Sequence, residues 1–202
     1  MSWIYVGMLF SSFCWHYEDV MLYSMNYMHE GEGKIWYGIP EYHRDKFEKL
    51  AKDKLAGLYE SDPNFLLNIN VMINPAYLVE NGVHVYRTIQ KPGEIIVTFP
   101  GSYHQGVSVG FNIAEAVNMA CPSWLEYGIK SMIIYMASKE KIPVFPYDWL
   151  LVENARHIFK MDLDLVHLKT LLKYYENFVT RELTERSLVA SHFSDKNMYK
   201  ND

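Results

Sequence analysis

Short aromatic and β-branched runs, punctuated by glycine and proline, constrain the fold of this chain more than any other feature. They occupy residues 3–10 (WIYVGMLF), 20–28 (VMLYSMNYM), 34–40 (KIWYGIP), 84–90 (HVYRTIQ), 94–99 (EIIVTF) and 110–120 (GFNIAEAVNMA). Each predicts a strand, and several short strands with such punctuation predict a mainly β protein, a barrel-like sandwich. In the last run Phe111, Ile113, Glu115, Val117 and Met119 share one face, with smaller or polar residues on the other, as suits a strand lining a pocket. Residues 42–58 interrupt the strands: Phe47, Leu50, Ala51 and Leu55 have helical spacing, and Gly57 is a plausible stop. A loop with Pro63 and Pro75 follows. Beyond Pro122 apolar residues recur at three- and four-residue spacing in SWLEYGIKSMIIYMASK and DLVHLKTLLKYYENFVTRELTERSLVA, so helices are expected there, ending in a frayed polar tail, SHFSDKNMYKND.

Composition narrows the class. Of the 202 residues 50% are hydrophobic and 15% aromatic, enough for one domain with a real core. The net charge of -5, with no basic run, argues against tight sequence-independent DNA binding and leaves a cationic peptide as the more natural partner. The two cysteines, Cys14 and Cys121, fit neither a disulfide framework nor a cysteine-rich zinc site and suggest a reducing compartment. No run of about 18 apolar residues is present, so no membrane span is expected. The apolar opening MSWIYVGMLFSSF lacks a basic leader and reads as core strand rather than signal peptide.

In SFCWHYEDV, His16 and Glu18 are two positions apart and would share one face of an extended strand, while Tyr17 points away. Alone, the pattern is common by chance and fits a hydrogen-bonded histidine beside a surface acid. His104, after the strand-turn signature VTFPGSYHQG, is a candidate third member if the barrel closes on itself. Two imidazoles and a carboxylate suit non-haem iron, and catalytic zinc uses the same ligand types, so the residues alone leave the metal open. Asp19 falls on the opposite strand face and His29 near a turn, and both are left out of the site.

WIYVGMLFSSFCWHYEDVMLYSMNYMHEGEGKIWYGIP, together with YRTIQKPGEIIVTFPGSYHQGVSVGFNIAEAVN, resembles the Jumonji C (JmjC) family of iron(II)- and 2-oxoglutarate-dependent oxygenases, most of all its JARID-type branch of demethylases for lysine 4 of histone H3. The resemblance covers roughly residues 3–121 and continues more weakly to about 155. It implies a double-stranded β-helix of jelly-roll or cupin type over residues 1–121, followed by a C-terminal helical region over 122–202. It also implies that His16, Glu18 and His104 hold iron(II), leaving positions for 2-oxoglutarate and O2. Lys34 would pair with the distal carboxylate of 2-oxoglutarate, Ser24 and Asn26 would contact the cosubstrate, and Phe13 and Trp36 would sandwich it. Tyr5, Ala116, Asn118 and Ser108 would lie on the side of the methylated lysine. The implied chemistry is hydroxylation of an N-methyl group followed by loss of formaldehyde, in the nucleus, on a histone H3 tail and within chromatin complexes where these form. No sequence-specific DNA contact is expected.

The sequence departs from the family pattern in places. By the resemblance, further strands, a tyrosine that also touches the 2-oxoglutarate carboxylate and a JmjN segment belong upstream, so the chain is expected to be a partial catalytic core. Ser108 stands where the branch commonly has asparagine, Gly101 replaces a larger residue, and the branch's cysteine-rich zinc finger has no counterpart. A protein hydroxylase of the same family and a non-catalytic chromatin scaffold, its barrel short of strands, are the alternatives.

Overall fold

The computed structural model describes residues 2–68, 71–138, 142–160 and 163–194. Eight strands form two four-stranded sheets: β1 (Trp3–Gly7), β2 (Ser12–His16), β3 (Tyr23–Gly31), β4 (Lys34–Ile39), β5 (Tyr86–Gln90), β6 (Ile95–Thr98), β7 (Tyr103–Ser108) and β8 (Asn112–Met119). One sheet has the order β1-β8-β3-β6, the other β2-β7-β4-β5, and every pairing is antiparallel. Eight strands shared between two four-stranded antiparallel sheets, with β4 and β5 adjacent in one of them, make a jelly roll, the double-stranded β-helix that the resemblance implied. They all lie between Trp3 and Met119.

Alternation along the second sheet separates two environments. On β4, Lys34 and Trp36 face the other sheet while Ile39 faces outward; on β7, His104, Gly106 and Ser108 face inward and Tyr103 outward. The outward set joins a core of Trp15, Ile39, Phe47, Ala51, Phe65, Leu78 and Tyr103, supplied by both the sheet and the 41–83 insertion. The indole N–H of Trp15 donates to the Ile73 carbonyl at 3.0 Å, so this fully buried ring leaves no polar atom unpaired.

Several boundaries differ from the sequence reading. Residues 3–10 are not one strand: the chain turns after Gly7, with Phe10 at φ 67, and β2 begins at Ser12. The predicted 42–58 helix is split: a 3-10 turn (Glu41–His43) leads into α1 (Arg44–Lys54), the chain breaks at Leu55, and Gly57 lies inside α2 (Ala56–Ser61) rather than ending a helix. The supposed loop contains α3 (Pro75–Glu80), whose first residue is proline and whose N-terminus is capped by the Asn74 side chain at 2.9 Å from the Ala76 amide.

The chain divides into compact units at residues 1–144 and 145–202, and within the first α4 (Leu125–Ser138) and the 3-10 turn before it pack on the Asp19–Met21 turn. The second unit holds α5 (Tyr147–His157) and α6 (Leu165–Ser194), joined by an Arg181–Asp148 ion pair at 2.6 Å. Of the tail expected to fray, residues 195–202 lie outside the described residues; up to Ser194 the chain is helical. Among the described residues no helix is long and apolar enough to cross a membrane.

Candidate metal centre

His16 ends β2 directly opposite His104 of β7, and their ring centroids are 4.3 Å apart. Glu18 lies just past the strand, in extended backbone (φ -65, ψ 151), so the expected strand face persists although the ladder has ended. One potential ligand atom from each of His16, Glu18 and His104 falls within 4.8 Å of the others, the one such cluster of three among the described residues.

Backbone carbonyls orient both imidazoles in the same way. His16 Nδ1 lies 2.8 Å from the Cys14 carbonyl and His104 Nδ1 lies 3.1 Å from that of Ser102. A carbonyl only accepts, so each Nδ1 must carry the proton, which leaves each Nε2 lone pair for a metal. Asn118 donates its amide to Glu18 Oε2 at 2.9 Å, while Oε1 stands 3.4 Å from His104 Nε2. One carboxylate oxygen is thus fixed and the other turned to the histidines. This donor set, two imidazole nitrogens and one carboxylate oxygen, fits a divalent first-row metal.

The electrostatics agree with that fit. Burial, and then the neighbouring His104, push His16 down to about 4, so its ring is neutral at neutral pH. Burial pushes the Glu18 carboxyl up, but the neighbouring His104 and the Asn118 amide outweigh it and hold Glu18 at about 2.

A bulge in β2 completes the wall. Phe13 pairs with Gly106 and His16 with His104, so three steps along β2 match two along β7. Strict alternation would put Phe13 and His16 on opposite faces; the extra residue brings both inward. Phe13 and Trp36 do not form the expected sandwich. Their ring centroids are 4.7 Å apart, too close to admit a molecule between them, and they make one continuous wall.

All of the residues singled out in the sequence border one cavity of about 270 Å³: Phe13, His16, Glu18, Ser24, Asn26, Lys34, Trp36, His104, Tyr5, Ala116, Asn118 and Ser108. Tyr5 is half exposed; Lys34, Ser24, Asn26 and Ser108 are buried. Ser24 shares a hydrogen bond with Thr98 at 2.5 Å. Lys34 is 7% exposed, and among the described residues no carboxylate lies within ion-pair distance of it. Burial pushes its ammonium below the ordinary lysine range. His29 belongs to β3 and bonds Glu115 at 3.0 Å, away from the cavity.

Sequence reasoning missed Gln90. It is fully buried, accepts the Trp36 indole N–H at 2.9 Å and donates to the Asn26 carbonyl at 2.9 Å and to Asn26 Oδ1 at 3.1 Å. Its register opposite Lys34 was the only available signal, and that register is not written in local sequence.

A jelly roll with two histidines and a carboxylate bordering a cavity that a buried lysine also lines defines a cupin-like scaffold with a candidate metal centre. Residues 3–119 match the family described as "JmjC domain, hydroxylase", and the chain belongs to that family. It is 44% identical to lysine-specific demethylase JMJ703 of Oryza sativa subsp. japonica over 84% of this chain and 14% of that protein. Lysine-specific demethylase JMJ17 of Arabidopsis thaliana is 43% identical over 87% of this chain and 14% of its own length. For lysine-specific demethylase 5B of Gallus gallus the figures are 43%, 86% and 11%. The chain therefore spans about a seventh or less of the length of these relatives.

Proposed function

We propose that the chain is the catalytic part of an iron(II)- and 2-oxoglutarate-dependent oxygenase that removes methyl groups from the histone H3 tail in the nucleus, with lysine 4 as the target. The observation that carries this reading is Lys34, a buried ammonium with no carboxylate partner among the described residues, in the same cavity as His16, Glu18 and His104. A lone buried charge is costly, and a ligand carboxylate would offset that cost. The relatives named as lysine-specific demethylases supply the substrate class.

In this reading His16, Glu18 and His104 hold the iron and Lys34 binds the distal carboxylate of 2-oxoglutarate. When bound, iron and 2-oxoglutarate supply the activation of O2. The protein's own part is placement. Ser24 and Asn26 offer polar contacts, and the Phe13–Trp36 wall keeps water away from the charged groups. Tyr5, Ala116, Asn118 and Ser108 also border this cavity, and in this reading they would meet the methylated lysine.

The test is incubation of the chain with iron(II), 2-oxoglutarate and an H3 peptide trimethylated at lysine 4, followed by mass spectrometry. Demethylation appears as successive loss of methylene equivalents with formaldehyde release. Gain of one oxygen on an unmethylated side chain would instead identify a protein hydroxylase. Peptide binding that needs no iron, without turnover, would identify a scaffold.

A further inference from the structure

The turn that follows Glu18 has an unusual backbone. Val20 lies at φ 55, ψ 24 and Met21 at φ 52, both in the left-handed region, and both side chains are fully buried. A β-branched residue is rarely found there and persists only where its surroundings hold it. The turn hangs on Glu18 itself, whose carbonyl accepts the Met21 amide at 2.9 Å.

What holds the turn comes from outside the strands. The Val20 carbonyl accepts the indole N–H of Trp124 at 2.9 Å, and the Val20 amide donates to the Tyr135 hydroxyl at 3.4 Å. That hydroxyl donates in turn to Asp19 Oδ1 at 3.1 Å. Both peptide groups of the strained residue are therefore bonded by side chains of the segment after β8, beyond residues 3–119. Trp124 is fully buried, and Tyr135 also borders a small space behind His16 and Glu18 together with Leu66 and Leu67. Burial pushes the Tyr135 phenol up to about 12, so it keeps the proton it gives Asp19 at neutral pH.

We infer that Tyr135 and Trp124 are positioning residues for the metal centre: they clamp the left-handed Asp19–Met21 turn and so fix where the Glu18 carboxylate points. This rests on the metal-binding reading of His16, Glu18 and His104. Asn118 fixes the carboxylate from the cavity side, and the clamp fixes its backbone from behind. Partners of a ligand commonly change metal affinity by tenfold or more without touching the metal.

The test is calorimetric titration of the metal-free full chain with Co(II), alongside denaturant unfolding without metal. Wild type, Tyr135→Phe, Trp124→Phe, His16→Ala and Val20→Gly are compared, with Tyr135→Phe also made in the Val20→Gly background. Tyr135→Phe is expected to weaken Co(II) binding about tenfold while unfolding cooperatively as wild type does. Glycine enters the left-handed region without strain, so in the Val20→Gly background the loss should shrink to about twofold. Trp124→Phe gives the same readout if Tyr135→Phe does not fold. Unchanged Co(II) affinity in the folded clamp variants, with His16→Ala unable to bind, overturns the clamp alone. A loss that persists in full beside Val20→Gly overturns it too, since the turn would not be the route. Wild-type binding by His16→Ala overturns the metal-binding reading and the clamp with it.

Discussion

His16 and His104 stand directly opposite each other across the β2–β7 ladder, 88 residues apart in sequence yet with ring centroids 4.3 Å apart. Each is turned by the carbonyl two residues before it, so both offer Nε2 to one point. Replacing either by alanine should lower affinity for a divalent metal by at least about 100-fold while far-ultraviolet circular dichroism stays that of the folded chain. Titration with Co(II) checks this, and undiminished affinity in either variant would remove that histidine from the site.

His16 makes the metal-free chain acid-sensitive. His16 titrates at about 4 when folded against 6.5 in a model peptide, so between these values the unfolded chain binds more protons. Stability is therefore full above pH 6.5, falls as pH drops toward about 4, and loses roughly 3 kcal/mol over that window. Glu18, held at about 2 against 4.5, extends the decline below pH 4.5. Urea unfolding of metal-free wild type and His16→Asn from pH 7 to 4.5 should show a steep dependence in the first and a shallower one in the second.

Lys34→Met should have opposite effects on the two states. Without ligand the chain becomes more stable, because a buried charge with no carboxylate partner among the described residues gives way to an apolar side chain of similar length. Affinity for 2-oxoglutarate falls by roughly 30-fold, about 2 kcal/mol, the scale of a charge-assisted hydrogen bond. Titration with 2-oxoglutarate in the presence of Co(II), beside denaturant unfolding, measures both. A 2-oxoglutarate affinity equal to wild type would leave Lys34 without its proposed role.

Gly106 is required by a close approach. A Cβ there would stand 2.5 Å from Phe13 Cζ and 2.6 Å from the Ile35 carbonyl oxygen, at the bulge that turns Phe13 inward. Gly106→Ala should cost about 1–3 kcal/mol. Gly38 in the neighbouring strand has open space at its Cβ position, and Gly38→Ala should change the melting temperature little. Thermal melts of the two variants compare them directly.

Gln90→Leu would leave the Trp36 indole N–H and the Asn26 side chain without their buried partner. A loss of about 2 kcal/mol or more is expected, with weaker 2-oxoglutarate binding because both residues border the cavity. Denaturant unfolding and 2-oxoglutarate titration read the two effects separately.

Much of this was legible because side-chain alternation is a local property. The runs that became β3, β4, β5, β6 and β8 show it, the two-residue spacing of His16 and Glu18 survives past the strand end, and Phe47 and Ala51 mark the buried face of α1. The sequence motifs also placed all of the candidate residues in one cavity. β7 escaped because its run, Tyr-His-Gln-Gly-Val-Ser, is polar and follows a proline and a left-handed Gly101, so it reads as turn. The roles of Gln90, Trp124 and Tyr135 depend on partners tens of residues away.

The sequence by itself determined most of the extended and helical segments, and its motifs singled out His16, Glu18, His104 and Lys34 as the candidate set. Only the tertiary structure decided the β2–β7 register that sets the histidines face to face, the bulge that turns Phe13 inward, and the turn clamped behind Glu18. The physical reason is that a residue's face follows from its neighbours along the chain, whereas register and bulges are fixed by hydrogen-bond ladders and packing between segments remote in sequence.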